Sequence, residues 1–215
     1  MKQQISLVAK VAARFSIEPN KFLDVVKKTC FPAGREITNE MIAAYLIVAD
    51  QYELNPFTRE IYAFPMKSGG IQTIVSIDGW IKLVNRHPKF DGVEMAEQVQ
   101  DGKLLGVTCT MHRSDRSHPI CVTQWMHECI RDTEPWKQMP SRMLTHKAYI
   151  QCARYAFGFA GITDEDEAMD AIQNEPEPPH QIKMPRRIEV ATSESAMPPK
   201  PREPGEDDDI TGEVF

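Results

Sequence analysis

Apolar residues recur at helical spacing near Ile5–Phe15 and Pro19–Thr29. They do so again behind a Thr38 or Asn39 cap, where Met41, Ile42, Tyr45, Leu46, Val48 and Ala49 fall into a helical pattern. Three opening helices are expected. Asn55-Pro56 closes the third, because a residue before proline is pushed out of the helical region. The period then drops to two. Ile61–Phe64 and Ile71–Val75 flank Gly69-Gly70 and read as a hairpin. Asp78 is placed to cap a short helix reaching Asn85. Val93–Gln100 and Leu104–Met111, joined by Asp101-Gly102, read as a second hairpin, and Ile120–Trp125 adds a strand after the polar Arg113–His118 turn. Ser141 is placed to cap a helix ending at Phe157, with Gly158 and Gly161 beyond it. The pattern predicts an α+β domain: N-terminal helices, a β-hairpin and a three-stranded antiparallel β-meander followed by a long helix, a β-β-β-α core.

The pattern stops near Asn174. Eight prolines follow (Pro176, Pro178, Pro179, Pro185, Pro198, Pro199, Pro201 and Pro204), with many acids and few large apolar side chains. Such a composition buries too little surface to offset chain entropy. The chain therefore divides into a domain over 1–173 and a disordered, Pro-rich acidic tail over 174–215.

Charge sharpens that division. The net charge of −6 looks unsuited to a nucleic-acid partner, but residues 162–215 hold 15 acids against 5 bases, leaving residues 1–161 at +4. No apolar run approaches the roughly 18 residues that span a membrane, and Met1-Lys2-Gln3-Gln4 does not open a signal peptide. The five cysteines are scattered, odd in number and free of CxxC pairs, so reduced thiols and a cytoplasmic protein are expected.

The most informative stretch is 135–161, with Lys137, Arg142, Lys147, Arg154 and the protonatable His146 but no Asp or Glu. At 100° per residue, Lys147, Gln151 and Arg154 form a narrow stripe on an otherwise apolar helix. A row of cations beside a glutamine on a rigid element suits a phosphate backbone. The alternatives are a solvated face or ion pairs to acids elsewhere. Arg59 and Lys67 at the first hairpin, and Arg131 and Lys137 before the long helix, could extend the surface. Trp80, Trp136, Phe57 and Tyr62 are either base-stacking platforms or core.

Catalytic patterns are lacking. There is no GxxxxGK[ST], GxSxG or HExxH, so ATPase and hydrolase readings find no support. Asp78, Glu94 and Asp101 have no spacing that would pair them on a nuclease metal. His118, Cys121, His127 and Cys129 lie close in sequence, but strand alternation would send the histidines to opposite faces, against a zinc site.

Several strings resemble the Bet, or Red-beta, branch of the RecT-like single-strand annealing proteins. They are Asn55-Pro56-Phe57-Thr58-Arg59-Glu60-Ile61-Tyr62-Ala63-Phe64-Pro65, Asp78-Gly79-Trp80, His118-Pro119-Ile120-Cys121-Val122-Thr123, Trp125-Met126, and Gln151-Cys152-Ala153-Arg154-Tyr155-Ala156-Phe157-Gly158-Phe159-Ala160-Gly161. The likeness spans about residues 35–165. It implies a protein that binds single-stranded DNA, assembles into rings or helical filaments, and anneals complementary strands without ATP or other cofactor, beside a phage exonuclease in the bacterial host. It also places the family's groove cations at Lys67, Arg131, Lys147 and Arg154.

Three departures stand out. Ser141 occupies a position where the family's best-known member carries a lysine, which moves that contact to Arg142. The loop between Arg131 and Trp136 is shorter. The tail replaces a C-terminal helical domain, and its end, with Asp207, Asp208, Asp209 and Phe215, is similar to the docking tips of bacterial single-strand-binding proteins. That tip is expected either to dock on a partner such as the host single-strand-binding protein or to set its acids against DNA for the groove, the plain alternative being a solubilising tail. The competing expectations are a single-strand protector that never anneals, an adaptor acting through its tail, and a metal-dependent nuclease.

Overall fold

The computed structural model describes residues 7–67 and 69–174. The order is α1 (Leu7–Arg14), α2 (Pro19–Cys30), α3 (Asn39–Gln51), β1 (Ile61–Pro65), β2 (Ile71–Val75), α4 (Ile77–Arg86), β3 (Phe90–Gln100), β4 (Lys103–Arg113), β5 (Ile120–Trp125), α5 (Met126–Cys129), α6 (Glu134–Gln138), α7 (Pro140–Phe157) and α8 (Glu165–Gln173). The fold is the expected α+β. Two antiparallel sheets form, β1-β2 and β3-β4-β5.

The elements form for local reasons. Thr38 caps α3, accepting from the Met41 N–H. Asp101 and Gly102 both take positive φ, the backbone of a two-residue hairpin turn, and so pair Gln100 with Lys103. Ser76 caps α4 in place of the expected Asp78, which sits exposed in the first turn. Gly79 is required there: a Cβ would lie 2.4 Å from the Glu60 carbonyl oxygen and 2.6 Å from Val75. That close approach locks α4 onto the first hairpin and buries Trp80 completely.

The long helix is the organising element. Leu144, Ala148, Cys152, Ala153 and Ala156 of α7 are buried, as are Val107, Cys109 and Met111 of β4. The Cys152 thiol donates to the carbonyls of Cys109 and Ile120, tying α7 to β4 and β5. Burying a leucine-sized side chain contributes about 1.5–3 kcal/mol, so this layer holds much of the domain's stability. Pro140 opens α7, with no side-chain cap, and Gly158 in the left-handed conformation closes it. Ser141 lies inside the first turn and donates to Glu97 of β3 at 2.7 Å instead of capping.

Candidate nucleic-acid interface

Lys147, Gln151 and Arg154 line up on α7 as their spacing requires, and all three meet α8 or the residue before it. The Lys147 ammonium lies 2.6 Å from Asp164 and 3.4 Å from Asp166. Lys147 and Asp164 are both buried. Gln151 donates to Glu167 at 3.2 Å. Arg154 grips the same carboxylate with two nitrogens, at 2.8 and 2.5 Å. Its guanidinium also donates to the Ile162 carbonyl at 3.1 Å and stacks over Trp80, 5.3 Å from the ring centroid. Farther along α8, Arg131 pairs with Asp170 at 2.8 Å. Trp136 donates from its indole nitrogen to Asp166, and Tyr62 donates its phenol to Glu165. Burial, reinforced by Glu165, holds the Tyr62 phenol well above its ordinary pKa, so it remains a donor.

Beside this paired surface runs an open trough. Two cavities of about 330 and 260 Å³ share Ser76 and Glu165. The first is lined by Arg59, Tyr62 and Phe64 from the first hairpin and its approach, the second by Arg142, His146 and Lys147 of α7. Arg59 takes a left-handed φ of 58° in the turn entering β1. Arg59 and Arg142 are exposed, and neither has a carboxylate partner among the described residues. Burial lowers the His146 pKa, Arg142 lowers it further, and Asp78 opposes them, so the imidazole is neutral near pH 7.

The remaining predicted residues lie apart from that pairing. Lys67 is exposed just after β1. Lys137, on α6, is taken up locally by Asp132 at 2.7 Å and Glu134 at 3.8 Å. Trp80 and Trp136 are buried core residues, not platforms for bases. Phe57 stacks edge-on with Phe15 and Phe22. His127 and Cys129 leave the strand for α5, so the alternation argument does not reach them. The tip residues Asp207, Asp208, Asp209 and Phe215 lie outside the described residues.

What the sequence reading missed is α8. A signal was present: Asp164 followed three residues later by Glu167, ahead of Ala168, Met169 and Ile172, has the shape of a capping box. Asp164 does cap α8, accepting from the Glu167 N–H at 3.1 Å. Five acids that had been counted with the tail (Asp164, Glu165, Asp166, Glu167 and Asp170) therefore belong to the folded domain and lie against its basic face.

Two comparisons bear on this arrangement. The recombination protein bet of Escherichia phage lambda is 44% identical to this chain, over 79% of the chain and 67% of that protein. The RecT family matches residues 19–180, a span that takes in α2 to α8 with both the paired stripe and the trough. The chain belongs to the RecT family.

Proposed function

We propose that this chain is an ATP-independent single-strand DNA annealing protein of phage recombination. The observation that carries the reading is the trough, whose lining includes Arg59 and Arg142, neither ion-paired among the described residues, beside a helix whose other cations are already aligned. Phosphates seated on Arg59, Arg142 and His146, and on Lys67, Arg131, Lys137, Lys147, Gln151 and Arg154 around them, would leave base edges free to sample a complement. Pairing energy then replaces nonspecific contacts while lysine and arginine screen the two backbones. No covalent step or nucleotide hydrolysis is needed, because duplex formation runs downhill.

On this reading protomers line up along one strand as a ring or helical filament, and the contacts between them are head to tail. The protein works in the cytoplasm of the bacterial host, with an exonuclease that exposes the strand. The tip from Asp207 to Phe215 docks on a partner such as the host single-strand-binding protein.

The test is annealing of two complementary, dye-labelled oligonucleotides by the full chain at low salt, without ATP or divalent ions. Pairing faster than in the protein-free control, with full-length strands recovered, is the expected result. Tight binding with slowed pairing would make the protein a protector, and shortened strands in magnesium would make it a nuclease.

A further inference from the structure

Among the described residues, every polar contact that α8 makes with the rest of the domain comes from a carboxylate: Glu165 to Tyr62, Asp166 to Lys147 and Trp136, Glu167 to Gln151 and Arg154, Asp170 to Arg131. The helix carries four acids and no base, and it buries only Ala168. It is attached to the domain mainly by charge. The residues just before it are held differently. Thr163 bridges Ile74, accepts from the Val75 N–H at 2.9 Å and donates its hydroxyl to the Thr73 carbonyl at 2.8 Å. Asp164 is pinned by Lys147 in the interior. A fixed hinge thus carries a loosely seated, strongly acidic helix.

Arg154, beneath α8, does not depend on α8 for its orientation. Arg154 is oriented by the Trp80 ring and the Ile162 carbonyl, and neither belongs to α8. If Glu167 withdraws, the two guanidinium nitrogens it holds become a preset fork, suited to a phosphate as well as to a carboxylate. We infer that α8 is an intramolecular stand-in for the nucleic-acid backbone, its carboxylates holding on Arg154, Arg131 and the outer side of Lys147 the places that phosphates take when single-stranded DNA binds. The inference rests on the proposed annealing function and adds a closed state to it. A strand must displace α8 about the Asp164 hinge, and the exchange of carboxylate for phosphate on already neutralised cations keeps affinity moderate and salt dependence shallow. Short or weakly held strands are thereby rejected, while a strand spanning several protomers opens each one.

Hydrogen exchange on the unmodified full chain tests the movement directly. Saturating oligothymidylate is expected to speed exchange across Glu165–Gln173 while leaving α7 protected; equal or slower exchange in α8 overturns the lid. The charge-neutral variant Asp166→Asn/Glu167→Gln/Asp170→Asn tests the competition by fluorescence anisotropy on a labelled oligothymidylate. Its Kd should fall about tenfold at low salt, and its log–log salt dependence should steepen by about 0.7 for each of the two fully freed cations, Arg154 and Arg131. Unchanged or weaker binding overturns the lid. Two single variants separate this failure from that of the interface itself. If Arg142→Ala and Arg154→Gln leave affinity unchanged, the interface falls and the lid with it. If they weaken binding while the triple variant fails to tighten it, only the lid falls.

Discussion

Two helices face each other across the basic stripe and are held by opposite means. α7 buries eight residues, all but Lys147 within the apolar core, whereas α8 buries one. α7 is fixed by apolar packing that salt does not weaken. α8 is fixed by carboxylates on cations, several of them half-exposed: Arg154 and Glu167 keep 22% and 31% of their side-chain surface, Arg131 and Asp170 keep 36% and 45%. Ion pairs of that exposure contribute roughly 0–1 kcal/mol each and are screened by salt. One helix is therefore scaffold, and the other is attached by the kind of interaction a polyanion can replace. Cations on a rigid base that meet only a replaceable partner are available for function without being exposed in the resting state.

The sharpest way to break this comparison is to truncate one apolar side chain on each helix. Leu144→Ala, fully buried on α7, should cost about 2–5 kcal/mol by urea unfolding, whereas Met169→Ala on α8, 36% exposed, should cost less than about 1 kcal/mol. Similar losses would show that α8 belongs to the cooperative core. The second largest effect is expected at the hinge. Asp164→Ala removes the inner partner of the buried Lys147 and the cap of α8, at a cost of about 3 kcal/mol in thermal or urea unfolding. Asp166→Asn, which leaves the inner pair in place, should cost under about 1 kcal/mol. If the two cost the same, the division into fixed hinge and movable helix is wrong.

Salt alone should expose the difference without a mutation. Raising sodium chloride from about 0.1 to about 1 M shortens the Debye length from about 10 to about 3 Å. Amide exchange should then accelerate several-fold across Glu165–Gln173 and stay unchanged within α7. Acceleration in both helices, or in neither, would remove the contrast on which the lid depends.

How far this was legible in the sequence follows from the same physics. The meander was readable because Asp101-Gly102 dictates its turn and apolar alternation dictates its faces; the observed strands begin and end within about three residues of the pattern. α7 was readable because its basic stripe interrupts an apolar surface at helical spacing. The destination of the stripe was not readable. Helical spacing shows that Lys147, Gln151 and Arg154 share a face, but only tertiary structure shows that Asp164, Asp166 and Glu167 fill it. Those acids fall inside the 1–173 domain yet share the acidic composition of the tail, and a short helix with one buried alanine leaves little apolar periodicity to mark it. Ser141 and Asp78 were mistaken for caps because either residue type suits the position; Pro140 and Ser76 fix those helix starts instead.

The smallest expected effect isolates the trough from the lid by pH. His146 faces the trough among Arg142, Lys147 and Asp166, and its pKa lies below the ordinary imidazole value because of burial first and Arg142 second, with Asp78 opposing. Between that ordinary value and the lowered one, the unfolded chain binds a proton that the folded chain refuses. Stability is therefore present above the ordinary value and is lost as pH falls through the folded one. Phosphates in the trough reverse the preference, because they favour the imidazolium. From about pH 7.5 to about pH 6, DNA affinity should rise about two- to threefold while the free protein becomes slightly less stable, and His146→Gln should flatten both trends. A pH response that survives His146→Gln would place the proton elsewhere and detach His146 from the strand's path. Its loss in that variant, with the α8 exchange rate unmoved, would show that trough and lid contribute to binding through separate charges.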